Sequence, residues 1–574
     1  MDSFHYRNPT SLHKRDPVED EESINYEEIN NSHKSANIRG IQDEKFLEKL
    51  HNPVTFNWSQ FWVTFLYENL PPIIFSPIAA ILIERNKKQA WNVIQNRMLL
   101  IFSLNHNGKF LHFWQWLLVY PANLGIHISL FLVSISYSGT SNVDIFHLII
   151  AYMCLFFRNL IISIKYGYFR EEDFSLLNKD PPYWNEDRTS RRLVGVGWAE
   201  PKKFPGLVED ELICAMDESD VSLKAMSFTI KNSPAEILRN HKTDKLFSAA
   251  SPSNTSNEVT AAYIVHQILS KIYKNDVSKI YLMIPMSLTI IYILSPQIFG
   301  FYYDHLFIFK GWTSAFIYIS YSWACFYYAF SILIFASICI LDFKRRNMTM
   351  DMFGSLIKSP GIKISELIYS DDENTDTLKQ RLYIDLKNPS NVFSWMYARR
   401  VLRNFGQIFY LRIQGYVSVL LCYSIFCVVL LNMIAWMEIS HHQSTIFIII
   451  FTIASVSILS IISIIQASNL QHTSSSHRNL IRDTIFLVEK SIIENKVFNS
   501  YNSLIINSRS LLKEVDESIY FDELIHNPTK ILGYIASTTV ISSALGIILT
   551  GLVLALEGFS GSSIAYDING WFKN

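Results

Sequence analysis

Residues 411–470 read LRIQGYVSVLLCYSIFCVVLLNMIAWMEISHHQSTIFIIIFTIASVSILSIISIIQASNL. Two apolar runs, approximately 410–437 and 444–468, flank the short polar link ISHHQS (439–444). Each exceeds the roughly 20 residues that a helix needs to cross about 30 Å of hydrocarbon. In lipid every backbone N–H and C=O must be paired within the structure, which a helix does by itself. The link has room only for a reversal, so the stretch predicts a transmembrane helical hairpin.

The same pattern extends in both directions. Runs 111–137 and 144–165 are joined by SGTSNV, and runs 280–303 and 312–341 by DHLFIFKG. A last run, 531–556, stands alone. The reading is therefore an all-α polytopic membrane protein with about seven transmembrane helices. Stretch 58–83 holds Glu68, Asn69 and Pro71-Pro72, each awkward in lipid. It reads as an interfacial or re-entrant element anchored by Trp58, Phe61 and Trp62, with an eighth span as the alternative.

Composition agrees. Hydrophobic residues make up 49% and charged residues 18% of the 574, against about 25% charge in a soluble domain. A formal net charge of −1 with no concentrated basic face excludes nucleic acid as a partner. Of six cysteines, only Cys214 lies outside an apolar stretch and none has CxxC spacing, so no disulfide framework or zinc site is expected. The polar, acidic beginning, MDSFHYRNPTSLHKRDPVEDEESINYEE, lacks an apolar core, so no cleaved signal peptide is expected.

The chain divides into a polar tail (1–57), the interfacial segment (58–110) and a first hairpin (111–165). A long loop (166–279), a second hairpin (280–341), another loop (342–409) and the third hairpin (410–468) follow. The polar stretch 469–530 and the last span with its tail (531–574) complete it. Span ends facing the long loops read KYGYFR (165–170), DFKRRN (342–347), RRVLRN (399–404) and HRNLIR (477–482). The short-loop side carries only Lys310 and Lys573. Basic span ends stay cytoplasmic, so the N-terminus and long loops are expected in the cytoplasm and the C-terminus outside, opposite to a rhodopsin-type receptor. Residues 1–45 and 216–258 (with SPSNTSN) read as disordered or linker, 357–392 as a polar connector, and 179–206 as locally packed. From Ile481 to Val515 apolar residues recur at helical spacing, which predicts amphipathic cytoplasmic helices packed on one another.

No catalytic, cofactor-binding or metal-binding set emerges. GVG (195–197) lacks a third glycine, no GxSxG is present, and His441-His442, His472 and His477 are too few and lie on opposite membrane sides. Arg158, inside the second span, is either a pore or anion contact or, the favoured reading, snorkels to the headgroups with the helix ending sooner. Arg412 snorkels easily from one turn inside the fifth span. No acidic residue sits mid-span, which lowers a coupled-transporter reading.

In ILGYIASTTVISSALGIILTGLVLALEG (531–558), Thr539, Ser543, Gly546 and Thr550 form a narrow small-polar stripe at spacings of three and four. Ala536, Ala544 and Gly551 thin the neighbouring surface. The stripe serves either close helix packing or the wall of a water-filled path around an axis. The fourth span carries dense aromatics; Tyr321, Trp323, Tyr327 and Tyr328 are candidates for lining an apolar ligand pocket, with core packing and an interface belt as the alternative.

With the segment ELIHNPTKILGYIASTTVISSALGIILTG (523–551), the layout resembles the seven-helix superfamily of insect gustatory and odorant receptors and their relatives, including PHTF-like proteins. The family's typical last-helix ending, Thr-Tyr, five apolar residues and Gln-Phe, is absent here. The resemblance implies a cytoplasmic helical anchor, here 481–515, and a pore built by the last helix of each of four subunits. The expected function is a homo-oligomeric, receptor-like ligand-gated cation channel in the bilayer, opened by a small apolar ligand. The alternatives are a membrane scaffold whose cytoplasmic loops bind partners, and a carrier for a neutral or lipid-like substrate.

Overall fold

The computed structural model describes residues 124–135, 143–168, 226–231, 258–261, 280–304, 311–357, 383–405, 407–437, 443–497, 503–526 and 528–561, with scattered residues in 56–65, 264–272 and at 441. Among them, six helices are long and apolar enough to cross a membrane, and the protein is a multi-pass integral membrane protein. Of the predicted first span only α1, Leu124–Ile135, is described; its earlier half lies outside the described residues. Stretch 58–83 is likewise described only at its start. There Phe56 lies 4.9 Å from the Tyr168 ring, and the Asn57 N–H donates to the Gly167 carbonyl at 2.7 Å.

The remaining helices are α2 (Ile145–Gly167), α3 (Ile280–Asp304), α4 (Trp312–Ala324), α5 (Phe330–Ser355), α6 (Pro389–Asn404), α7 (Gln407–Met437), α8 (Gln443–Val497), α9 (Ser503–Phe521) and α10 (Thr538–Gly561). A π-helical turn, Cys325–Ala329, joins α4 to α5, and a second, Asp522–His526, follows α9. Strands β1 (Ser227–Lys231), β2 (Glu258–Thr260) and β3 (Tyr383–Ile384) form one antiparallel sheet in the order β2-β1-β3. Strands β4 (Lys530–Ile531) and β5 (Tyr534–Ile535) form a hairpin.

α8 is the spine. It packs on α3, α5, α7 and α9, and its 55 residues reach about 80 Å at 1.5 Å per residue. A bilayer core takes about 30 Å of that, so the helix leaves the membrane and continues through the long-loop side without a break. Of the amphipathic stretch Ile481–Val515, the part to Val497 continues the span, while Leu504–Val515 lies in the separate helix α9, which packs on α8. α4 and α5 together behave alike, passing well beyond residue 341 to Ser355.

Hydroxyls keep these apolar helices satisfied in two ways. Within a helix they donate one turn back, as Ser163 does to Asn159 O (2.6 Å), Thr452 to Ile448 O (2.7 Å) and Ser463 to Leu459 O (2.9 Å). Between helices, Ser424 meets Ser457 at 2.8 Å and the Tyr321 hydroxyl donates to Tyr292 O at 2.9 Å.

On the long-loop side the structure replaces part of the predicted linkers with order. β1 comes from the stretch read as a flexible linker, β2 begins at that stretch's last residue, and β3 comes from the polar connector. α6 follows β3, with Pro389 at its first position and the Asn388 side chain accepting from Ser390 N at 3.1 Å. Asn391 fastens the sheet to α6: its carbonyl accepts from Thr229 N (2.8 Å) and its amide donates to Thr229 O (3.0 Å) and Asp385 O (2.9 Å). Phe228, Trp395 and Phe353 are buried, the last two stacked at 5.4 Å. After β2, Ala261, Ile264, Val265, Ile268, Leu269 and Ile272 are buried at helical spacing.

Candidate functional site

The last helix begins at Thr538, seven residues later than its apolar run suggests, because Lys530–Ile535 turn back as the β4–β5 hairpin. α10 packs chiefly on α7. Gly551 fits against Val428: a Cβ added there would meet Val428 Cγ1 at 2.2 Å. Gly558 fits against Trp436 and Ala435, at 3.0 and 3.1 Å for such a Cβ. Asn432 donates its amide to Gly551 O at 2.9 Å, and the Trp436 indole N–H donates to Leu554 O at 3.2 Å. Small residues and a buried amide therefore glue this pair, as expected where lipid supplies no hydrophobic drive.

The stripe read from the sequence lies elsewhere on the helix. Thr539, Ser543, Gly546 and Thr550 are all exposed, and a Cβ at Gly546 would meet nothing within 4 Å. Among the described residues no helix covers the stripe. Ser543, Gly546 and Thr550 line a groove of about 900 Å³ whose other wall is Val429, Met433 and Trp436 of α7. Thr539 lies one turn before it.

The four aromatic candidates separate. Tyr321, Tyr327 and Tyr328 are buried, while Trp323 is 38% exposed. Tyr321 and Trp323 are two residues apart in α4, so they point to nearly opposite sides of that helix, one into the bundle and one outward. Arg158 reaches the π turn. It is 1% exposed, donates to Asn159 Oδ1 at 2.6 Å and Tyr327 OH at 3.4 Å, and lies 5.0 Å from the Tyr327 ring centre. The snorkelling expectation is thereby corrected: α2 continues to Gly167, and the guanidinium turns into the bundle, where a tyrosine face and an amide replace the headgroups. Arg412 is also buried rather than at a membrane surface.

Two polar clusters went unrecognised in the sequence. At the short-loop end, Asp144 caps α2 by accepting from His147 N at 3.0 Å, and its carboxylate meets His147 Nδ1 at 2.6 Å. His147 Nε2 meets Ser444 Oγ at 2.8 Å, and Thr445 donates its hydroxyl to Asp144. The residue types are those of an acyl-transfer triad, but His147, Ser444 and Thr445 are fully buried in the first turns of two helices. They act as a latch between the starts of α2 and α8. The Asp-x-x-His spacing of a reciprocal cap is visible in the sequence; its partner some 300 residues later is not.

At the long-loop end, Glu523 in the second π turn is 1% exposed between two arginines of α6. Arg399 donates to it at 2.7 Å and Arg403 at 3.1 and 3.2 Å, and the Ser474 hydroxyl of α8 donates as well. Burial pushes its carboxyl up, but the Arg403 and Arg399 charges and these hydrogen bonds outweigh it and hold the pKa down to about 2. Gln471 of α8 ties the clamp onward, donating to Glu523 O at 2.9 Å and accepting from Thr529 N at 3.0 Å. The RRVLR run signals a basic span end; only the fold reveals that two of its arginines face inward.

The chain matches no family model and no curated protein.

Proposed function

We propose that the protein is a homo-oligomeric, receptor-like ligand-gated cation channel in which the last helix of each copy lines the pore. One observation carries this reading: α10 is glued to its own bundle through Gly551 and Gly558, while the stripe of Thr539, Ser543, Gly546 and Thr550 stays open. A small-residue stripe left exposed among the described residues is available to neighbouring copies or to water. Hydroxyls gathered around an axis would replace part of an ion's hydration shell.

The test is ion flux in vesicles containing the purified protein. Gly546→Leu is expected to abolish flux at unchanged protein level and thermal stability, Thr550→Ser to preserve it, and Thr550→Val to alter it. Protein that passes no ions under any condition would refute the channel. The second reading is a membrane scaffold, favoured by Phe486 and Ile493, which are 68% and 63% exposed on the part of α8 that lies beyond a bilayer's thickness. Partner capture on that face without ion flux would support it.

A further inference from the structure

The β4–β5 hairpin turns through Leu532 and Gly533, both left-handed, with φ of 53° and 83°. Two consecutive positive φ values define the tight hairpin turn that strongly prefers Asn-Gly or Asp-Gly. Leucine there carries a steric cost, and its side chain is not sheltered by the protein: Leu532 is 45% exposed. A strained, exposed leucine where asparagine would be relaxed calls for a compensating environment. Its neighbours share the pattern. Tyr534 is 71% exposed and Ile535 is exposed as well.

The depth of this patch follows from helix register. α7 and α10 run parallel, with Gly551 on Val428 and Gly558 on Ala435. The same register puts Ser418 at the level of Ile541, inside the first turn of the last span. Ser418 Oγ accepts from Leu532 N at 2.9 Å, and Gln414 Oε1 accepts from Lys530 N at 2.8 Å. The hairpin tip is therefore bolted to α7 at the depth where α10 has already entered the apolar region. In water, the exposed apolar side chains Leu532, Tyr534 and Ile535 on one short hairpin are unfavourable; at a lipid boundary, aromatic and aliphatic side chains with a lysine at the edge are the preferred set.

We infer that the β4–β5 hairpin forms an interfacial wedge that inserts into the membrane leaflet on the long-loop side, with Leu532 at its tip. The partner is the lipid itself, and the inference holds whether or not the protein conducts ions.

Nitroxide labels at Leu532→Cys and, separately, Tyr534→Cys test it, in full-length protein in phosphatidylcholine–phosphatidylserine vesicles with Cys422 and Cys214 replaced by serine. Label at Glu494→Cys serves as the aqueous reference and at Ile458→Cys, mid-span on α8, as the lipid reference, since both positions are exposed. A wedge in lipid gives oxygen accessibility matching position 458, and accessibility to a polar nickel chelate on the order of tenfold below position 494, because that chelate pays to leave water. Nickel accessibility equal to that at 494 places the hairpin in water and overturns the inference. Low accessibility to both reagents means protein, such as a second copy, covers the patch, and overturns it too. Tyr534→Cys removes no buried contact, so it reports even if the labelled tip at 532 disturbs the turn. Leu532→Asn gives an independent reading: relief of turn strain stabilises the protein if the tip is in water, whereas loss of the inserted side chain destabilises it in vesicles if the tip is in lipid.

Discussion

Replacing Glu523 by glutamine keeps the shape of the side chain and removes its charge, leaving Arg399 and Arg403 without their shared counter-charge. Both arginines are nearly sealed, at 3% and 4% side-chain exposure. The carboxyl is held at about 2, against an ordinary value of 4.5; at 1.36 kcal/mol per unit that is worth ~3 kcal/mol of folding free energy. Breaking a buried ion pair by removing one partner costs about 3–5 kcal/mol, in the same range. Because the folded pKa is depressed, the contribution is fully present above about pH 5 and is lost as pH falls toward 2. Thermal unfolding of detergent-solubilised wild-type and Glu523→Gln protein, followed by tryptophan fluorescence from pH 3 to pH 7, reads both effects. The variant melts well below wild type at pH 7, and the gap narrows as pH drops. A gap that is absent at pH 7, or the same at pH 3 as at pH 7, would refute the reasoning, because the clamp would then be electrostatically inert.

Gly551→Val forces a side chain into Val428 and is expected to destabilise the α7–α10 pair by about 1–3 kcal/mol, seen as a lower melting temperature; Gly546→Val, with open space around it, leaves melting unchanged. His147→Ala breaks the latch, leaves the buried Ser444 and the half-buried Asp144 with fewer partners, and costs about 1–3 kcal/mol; Ser444→Ala costs less, and both are read in the same melts. A His147→Ala protein as stable as wild type would mean that the latch adds nothing.

The spans were legible because a 20-residue apolar run has few other readings, and the paired runs with short links showed where the chain reverses. Where the spans end was less legible. Apolar periodicity at Ile481, Ile485, Val488 and Ile492 marks helix beyond the span, but not that it runs on unbroken from the membrane to Val497; that continuity becomes visible only when α5, α7 and α9 pack along it. The start of α10 was misplaced for the opposite reason. Ile531, Leu532, Tyr534 and Ile535 are apolar, so hydropathy merges them with the span, whereas the Leu-Gly turn makes them a hairpin. The stripe was readable as a pattern, but which face of α10 meets α7 depended on Gly551 finding Val428. Arg158 shows the limit of hydropathy: snorkelling is the economical solution for an isolated helix, and it lost to tyrosines supplied by a turn some 170 residues away.

These particulars bear on how the last helix can move. Its entrance is held by Ala536 N donating to Thr529 O at 2.8 Å, by the hydrogen bond between Thr529 and Tyr410, and by Gln471 binding both Thr529 and the Glu523 clamp. Its far half is held by Gly551 and Gly558 seated on α7. A helix fixed at both ends to one neighbour does not swing alone; α7 and α10 shift together, or the Arg399–Glu523–Arg403 clamp opens. Under the proposed function, a gating motion therefore has to pass through that clamp or displace α7 with α10. Glu523→Gln should then alter the ligand concentration needed for half-maximal flux as well as stability. Unaltered ligand response in a variant that melts lower would place the gate elsewhere and leave the clamp a purely structural joint.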